Sequence, residues 1–190
     1  MEREQPVERG LALYLKSALC SVWLRIHGFQ SSLVACDGML PALIRGGTVR
    51  LGKRVIVRGR VARCEIGAEK GAVLEIGDRV FINQGATVAA RRHIKIGRNT
   101  QIGDFAAVYD SNYHRIDPHH AVKCAPVVIG ENVWLGRGAM VLPGSNVGDH
   151  TVVAAGSIVS GDLPPRVLAA GNPARAVKEL QIPDDGWRRG

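Results

Sequence analysis

A six-residue repeat in the second half of the chain constrains its fold more than any other feature. Residues 129–164 read as IGENVW, LGRGAM, VLPGSN, VGDHTV, VAAGSI and VSGDLP. The first place of each hexad is aliphatic: Ile129, Leu135, Val141, Val147, Val153 and Val159. A period of six fits neither the 3.6-residue period of a helix nor the alternation of a long strand. The repeat therefore predicts short strands joined by regular corners.

The fourth place of each hexad explains the corners. It holds Asn132, Gly138, Gly144, His150, Gly156 and Asp162. Most of these residues adopt the left-handed backbone region at low cost. Three strands and three corners would close a triangular coil, and successive coils would stack with Ile129 under Val147. The other predicted pairs are Leu135 with Val153 and Val141 with Val159.

Three motifs accompany the hexads: YDSNYH at 109–114, APVVIGENVWLG at 125–136 and AAGNPARAVKEL at 169–180. Together they resemble the hexapeptide-repeat acyltransferases from about residue 50 to residue 180. The resemblance implies an all-β fold, a left-handed parallel β-helix. The hand comes from the resemblance alone, because parallel crossovers are usually right-handed.

An apolar stripe precedes the repeat. Leu11, Leu15, Leu19, Val22, Ile26 and Phe29 are spaced by three or four residues, which predicts a helix over residues 9–29. The eight residues between Lys16 and Arg25 are far fewer than the roughly 20 needed to cross a bilayer. We therefore expect this helix to pack on the β-helix; the alternative is peripheral contact with a membrane surface.

The chain divides into three predicted parts. Residues 1–48 form an N-terminal helical segment and a loop, residues 49–165 form the β-helix with a loop excursion at 109–128, and residues 166–190 form a cap and tail. The Pro164-Pro165 pair ends strand pairing. Residues 174–180 are predicted as a short C-terminal helix that covers the open end of the coil.

Charge and cysteine content bear on partners and location. The net charge is +8, and residues 1–60 carry ten Lys or Arg against four Asp or Glu. Such a segment suits an anionic membrane or phosphate-bearing ligands, and no nucleic-acid motif accompanies it. The first eight residues lack the features of a secretory signal. We expect a cytoplasmic protein whose four cysteines, Cys20, Cys36, Cys64 and Cys124, are reduced packing thiols.

The candidate base is His114, which lies in a long excursion between Val108 and Ile129. Long insertions of this kind are usually functional, and histidine can take a proton near neutral pH. The resemblance implies that His114 removes the proton from an acceptor hydroxyl that attacks the thioester of acetyl-CoA. No metal is expected, because the adjacent His119 and His120 lack the spacing of a zinc site.

The resemblance also implies binding residues. Asn83 would bind the acceptor near His114, together with Asp110, Asn112 and Tyr113 of the YDSNYH motif. The groove for acetyl-CoA would be lined by Trp134, Gly136, Ala154, Ala155, Asn172, Pro173, Arg175 and Lys178. Alternatives stay open at this point: Asn83 and Trp134 are equally typical of corner packing, and Arg175 and Lys178 of a solvated surface.

The resemblance implies a homotrimeric O-acetyltransferase that uses acetyl-CoA and acts on a sugar or a surface-polysaccharide precursor, with each active site shared by two chains. Residues 1–48 lack the N-terminal motif of the subfamily that acetylates galactosides and maltose. An antibiotic-acetylating enzyme of the same fold is one alternative. A non-catalytic β-helix scaffold and a γ-type carbonic anhydrase are the others.

Overall fold

The computed structural model describes the backbone of residues 11–183 and Trp187, and side chains from residue 15 onward. Residues 1–8, the predicted helix start at residue 9 and most of the tail after residue 183 lie outside this description. The described chain begins with helix α1 (Leu11–Ile26), and strands grouped in three sheets follow it.

The three sheets run along the length of the molecule. Sheet A contains β1 (Phe29–Ser31), β4 (Thr48–Leu51), β7 (Val73–Ile76), β10 (His93–Ile96), β13 (Val127–Ile129), β16 (Asn146–Val147) and β19 (Asp162–Leu163). Sheet B contains β2 (Val34–Gly38), β5 (Val55–Gly59), β8 (Phe81–Ile82), β11 (Gln101–Ile102), β14 (Trp134–Leu135), β17 (Val152–Val153), β20 (Val167–Gly171) and β21 (Ala174–Glu179). Sheet C contains β3 (Ala42–Ile44), β6 (Glu65–Ala68), β9 (Thr87–Ala90), β12 (Ala107–Tyr109), β15 (Met140–Val141) and β18 (Ile158–Val159).

The predicted coil and its register are confirmed. The chain visits sheets A, B and C in turn, and neighbouring coils pair in parallel. The predicted stacks all occur as strand pairs: Ile129 with Val147, Leu135 with Val153 and Val141 with Val159. Five of the six fourth-place residues have positive φ: Asn132, Gly138, Gly144, His150 and Gly156. The protein is a parallel β-helix, and the left-handed winding stays a prediction from the resemblance.

The corners between sheets are the reference points for the functional site. We name them by the sheets they join: the A–B, B–C and C–A corners. The predicted excursion leaves the coil after β12 and returns at β13, so it projects from the C–A corner.

The β-helix extends further toward the N-terminus than the hexads indicate. Strands β1, β2 and β3 form a coil within a segment predicted as helix end and loop, and they pair in parallel with β4, β5 and β6. The hexad pattern is lost there, but an unpaired strand edge has backbone groups that need partners. The first coil, although its sequence is irregular, supplies hydrogen-bonding partners for these backbone groups.

Helix α1 packs on the first coil through a face that the apolar stripe did not predict. Ser17, Cys20, Ser21 and Leu24 are buried, and the Val34 backbone N–H donates to Ser21 Oγ at 2.9 Å. The stripe itself faces outward: Leu15, Leu19, Val22 and Ile26 are 53%, 70%, 50% and 76% exposed. No helix in the described part of the chain has the length and apolarity to cross a membrane.

Two of the four cysteines are not the thiols that the sequence predicted. Cys20 of α1 and Cys36 of β2 form a disulfide, with Cα atoms 6.1 Å apart. The packing of α1 on β2 brings them together, which a separation of 16 residues in sequence does not reveal. Cys64 and Cys124 are free, and burial raises the pKa of the Cys64 thiol.

The predicted C-terminal helix at residues 174–180 is wrong, because this segment is strand β21. It runs antiparallel to β20, and the chain reverses between Gly171 and Ala174. The segment ARAVKE has good helix formers, but β20 would otherwise present an unpaired edge. Strand pairing satisfies those backbone groups, so tertiary context overrides propensity.

Candidate active site

Asp110 anchors the excursion to the coil below it. Its side chain is fully buried, and its carboxylate accepts backbone N–H bonds from Arg91, Arg92 and His93 at 2.7, 2.8 and 2.6 Å. Both oxygens are therefore occupied by the C–A corner of the preceding coil. This placement gives Asp110 a positioning role and leaves no carboxylate surface for an acceptor.

The arms of the excursion pair with each other directly above this anchor. The Ala125 N–H donates to Asp110 O and the Asn112 N–H donates to Lys123 O, both at 2.9 Å. Ser111 and Cys124 form an antiparallel bridge between these two contacts. The excursion is thus a short hairpin with a fixed base, and we call residues 110–125 the excursion hairpin.

The candidate base lies where the first arm turns. Tyr113 has a positive φ of 60°, its N–H donates to Ser111 Oγ at 3.1 Å, and the His114 N–H donates to Asn112 O at 2.7 Å. The His114 side chain is exposed. No side chain in the described part of the chain hydrogen-bonds its ring, so the imidazole projects from the hairpin and is accessible.

The other two histidines of the excursion hairpin lie in a turn that Asp117 holds. Asp117 Oδ1 accepts from the backbone N–H groups of His119 and His120 at 2.8 and 3.0 Å, and its Oδ2 lies 2.7 Å from His120 Nδ1. The bond to the His120 ring, with that from the His119 N–H, lowers the pKa of Asp117. Within residues 11–183 and Trp187, no three His, Cys, Asp or Glu side chains are grouped to hold a metal ion.

Asn83 lies away from His114 in a single chain. It follows β8 at the B–C corner, where its Oδ1 accepts the Gln84 N–H at 2.9 Å and its backbone carbonyl accepts from Cys64 Sγ at 3.1 Å. In one chain Asn83 thus acts as a corner residue. The structure does not bring it to the excursion hairpin at the C–A corner.

The predicted cofactor residues share one side of the molecule. Trp134 is 45% exposed on sheet B, Gly136 is buried at the B–C corner, and Ala155 is exposed at the same corner one coil further on. A Cβ at Gly136 would lie 2.6 Å from the Ala155 backbone nitrogen, so only glycine allows this close stacking. Ala154 lies beside Ala155, and Asn172 and Pro173 form the turn before β21.

Arg175 and Lys178 extend this surface toward the C-terminus. Both lie on the exposed face of β21, the edge strand of sheet B. They are strand residues at an open edge, although the sequence had placed them on a helix. The predicted cofactor residues therefore lie along sheet B and the B–C corner, as Asn83 does two coils earlier, and sheet C separates them from His114.

Two arginine contacts near the site were missed by the sequence analysis. Arg91 lies 5.5 Å from the Tyr113 ring centroid and pairs with Glu69 at 3.2 Å. Burial, with the charges of Glu69 and Asp110, raises the pKa of Tyr113 to about 12, so its phenol keeps its proton at neutral pH. In the sequence, the Arg-Arg pair at 91–92, which follows a regular hexad, was the feature that could have indicated this contact.

The second missed contact is at the B–C corner. Phe105 has a positive φ of 56° and is 47% exposed, and the Arg137 guanidinium lies 5.2 Å from its ring centroid. A bulky side chain is uncommon in this backbone region. In the sequence, the aromatic Phe105 at a corner position was the feature that could have indicated this contact.

Comparison with known proteins identifies the family. The model for the bacterial transferase hexapeptide (six repeats) matches residues 126–161. The putative colanic acid biosynthesis acetyltransferase WcaF of Escherichia coli (strain K12) is 30% identical over 137 residues, which cover 72% of each chain. The protein therefore belongs to the hexapeptide-repeat acetyltransferases.

Two further relatives illustrate the range of this similarity. Galactoside O-acetyltransferase of Escherichia coli (strain K12) is 32% identical over 117 residues, or 60% of this chain and 58% of that protein. The chain thus spans less than two thirds of that relative's length. The structure of PerB from Caulobacter crescentus, in complex with CoA and GDP-perosamine, has a TM-score of 0.52 and 28% identity, and the match covers 85% of this chain and 66% of PerB.

Proposed function

We propose that this protein is an O-acetyltransferase that moves the acetyl group of acetyl-CoA to a hydroxyl of a sugar or a surface-polysaccharide precursor. The observation that carries the proposal is the excursion hairpin, whose buried anchor Asp110 holds an exposed His114 clear of the coil wall. Membership in a family of acetyltransferases, with relatives named for galactoside and colanic acid chemistry, supports the choice of acceptor.

His114 acts as the general base in this proposal. Its ring accepts the proton of the acceptor hydroxyl as the hydroxyl oxygen attacks the thioester carbon, and the resulting imidazolium returns that proton to the departing thiolate sulfur. General-base help of this kind typically contributes about 10²–10⁴-fold to the rate. The thioester supplies an activated acetyl group, so no covalent enzyme intermediate is required.

The surface along sheet B and the B–C corner fits acetyl-CoA. The small side chains of Ala154 and Ala155 leave space along the corner for an extended pantetheine arm, and Gly136 allows the two coils to stack closely there. Arg175 and Lys178 are exposed cations beyond it, and such side chains bind phosphates as bidentate forks or point charges. In our proposal, Trp134, Asn172 and Pro173 border the same groove.

We propose that the active site is shared by two chains of a homotrimer. Sheet C separates His114 from the cofactor surface by roughly 15 Å in one chain, the length of about five extended residues. A neighbouring chain in a closed cyclic assembly can present its B–C corner to this chain's excursion hairpin. Asn83, at that corner, would then meet the acceptor together with Asn112 and Tyr113.

The experiment that tests the proposed activity is a turnover assay with acetyl-CoA and a panel of acceptors. The panel contains neutral sugars, nucleotide sugars and aminoglycoside alcohols, and CoA release is compared with the mass of the acetylated product. We expect CoA release that matches ester formation on a sugar. Acetylation of aminoglycosides alone would favour the antibiotic-modifying alternative, and the absence of saturable acetyl-CoA binding would overturn the proposal in favour of a scaffold.

We further propose a cytoplasmic protein with peripheral membrane contact through α1. The exposed leucine stripe is flanked by the exposed Lys16 and Arg25, which is the composition of an interfacial helix, and anionic lipid attracts such cations. The inner face of the membrane is where a lipid-linked sugar would be found. The Cys20–Cys36 disulfide counts against this compartment, since the cytosol keeps most cysteines reduced.

Vesicle binding provides the corresponding prediction. Replacing Leu19 and Ile26 by serine should weaken co-sedimentation with phosphatidylglycerol vesicles by about tenfold, because the apolar area that would enter the interface is reduced. Both residues are exposed, so the fold should tolerate the change. We expect the wild-type protein to bind the vesicles more weakly as salt is added. Equal sedimentation of the variant and wild type would contradict membrane contact through α1.

A further inference from the structure

The C–A corner carries a stripe of basic residues on the N-terminal side of the excursion hairpin. Arg45, Lys70, Arg91 and Arg92 lie at this corner in three successive coils, and all four are exposed. We call these four residues the basic stripe. In the two coils that follow the hairpin, the same corner consists of residues 142–145 and 160–161, none of which is charged.

Backbone contacts between coils fix the order of the basic stripe. A Cβ placed on Gly46 would lie 3.2 Å from the Lys70 backbone nitrogen, so the first corner abuts the second. The Glu69 N–H donates to Ala90 O at 2.9 Å, which stacks the second corner on the third. With about 4.8 Å between adjacent strands, the stripe is about 10 Å long.

The C-terminal end of the stripe contacts both arms of the excursion hairpin. Arg91 lies over the Tyr113 ring, next to His114 in sequence, and Arg92 Nη1 donates to Cys124 O at 3.3 Å. A ligand held along the stripe would therefore end at the hairpin that carries the candidate base.

Half of the positive charge on the stripe is not neutralised by the protein. Glu69 pairs with Arg91. Within the described residues, no salt bridge involves Arg45, Lys70 or Arg92. Glu69 and the buried Asp110 are the two carboxylates at this corner, so the four cations leave an excess of two positive charges. A cluster of guanidinium and ammonium groups of this length and excess charge suits adjacent phosphates.

We propose that the basic stripe binds the diphosphate of the acceptor, and that the acceptor is therefore a sugar linked to a diphosphate. This inference rests on the proposed function and narrows its substrate class. A diphosphate spans two of the coils, and the attached sugar would then lie beside Tyr113 and His114. A nucleotide sugar and a lipid-linked sugar diphosphate share this chemistry.

Titration calorimetry with inorganic pyrophosphate tests the proposal on the full chain, with CoA present at saturation so that the cofactor surface is filled. The variant is the double change Arg45→Gln and Lys70→Gln, because neither side chain contacts the excursion hairpin. The matched control is Lys53→Gln and Lys95→Gln, which removes the same charge from exposed positions outside this corner. We expect about tenfold weaker pyrophosphate binding in the stripe variant and wild-type affinity in the control.

UDP-glucose and farnesyl diphosphate then distinguish the two sources of the diphosphate. Tighter binding of UDP-glucose would assign a nucleotide sugar, and tighter binding of farnesyl diphosphate would assign a lipid-linked sugar. Either result supports the proposal if the stripe variant binds that ligand more weakly than wild type does. Equal pyrophosphate affinity in wild type and stripe variant would overturn the proposal. Weaker CoA binding by the stripe variant would also overturn it, because the stripe would then serve the cofactor. We also measure how the stripe variant binds acetyl-CoA and acetylates unphosphorylated sugars. These two measurements test the proposed function separately from the diphosphate proposal.

Discussion

Replacing His114 by alanine should lower kcat by about 10²–10⁴-fold, the usual loss when a general base is removed. A sugar hydroxyl is a weak nucleophile until its proton is accepted, and the exposed ring of His114 has no hydrogen-bonding partner in the described chain. Because the ring makes no such contact, its loss should leave the fold, the assembly and the affinity for acetyl-CoA unchanged. Steady-state kinetics with acetyl-CoA and the best acceptor of the panel measure the effect.

The neighbouring histidines provide matched controls for this prediction. His119 and His120 are exposed on the same hairpin, so His119→Ala should keep most of the wild-type kcat. The wild-type rate should also fall in acid, since an imidazole that has gained a proton cannot act as a base. A His114→Ala enzyme that keeps most of its kcat at neutral pH would refute the mechanism.

Much of the fold could be predicted because the hexads encode both the strands and the corners. Aliphatic residues at one place and corner formers at another determine the strand length, and therefore which residues stack, such as Ile129 on Val147. The position of the excursion followed from the same count. These features depend on local pattern repeated many times, which a single sequence displays directly.

The errors arose where the structure depends on contacts between distant segments. The apolar stripe of α1 was predicted to be buried. The helix instead packs on the first coil through another face, where the Val34 N–H donates a hydrogen bond to Ser21 Oγ. Strand β21 forms because β20 has a free edge, which the helix-forming composition of ARAVKE does not show. The Cys20–Cys36 disulfide likewise depends on how α1 docks.

The sequence suggested candidate residues for the site, but it did not predict how they are arranged in the fold. Asp110 was expected to bind substrate and is instead buried beneath three backbone N–H groups. Asn83 and His114 were expected to be neighbours, and they lie at different corners of one chain. Periodicity gives the place of a residue within its coil, whereas in our proposal the two corners meet only through a second chain.

The central claim is that the base of one chain serves the cofactor surface of another, and a mixed assembly tests it most directly. Ala155→Trp should abolish acetyl-CoA binding, because a large side chain at an exposed corner position would fill the proposed groove. His114→Ala removes the base and leaves that groove intact. Each variant alone should be inactive. Co-expression with two different tags and tandem purification isolates trimers that contain both variants.

In any cyclic trimer that contains both variants, one of the three interfaces joins an intact His114 to an intact cofactor surface. We therefore predict that turnover of acetyl-CoA by the purified mixed trimers is about one third of the wild-type rate, although both parent variants are inactive. If each site were built within a single chain, every site in the mixture would carry one defect. Turnover by the mixed trimers no higher than that of the parent variants would contradict the account.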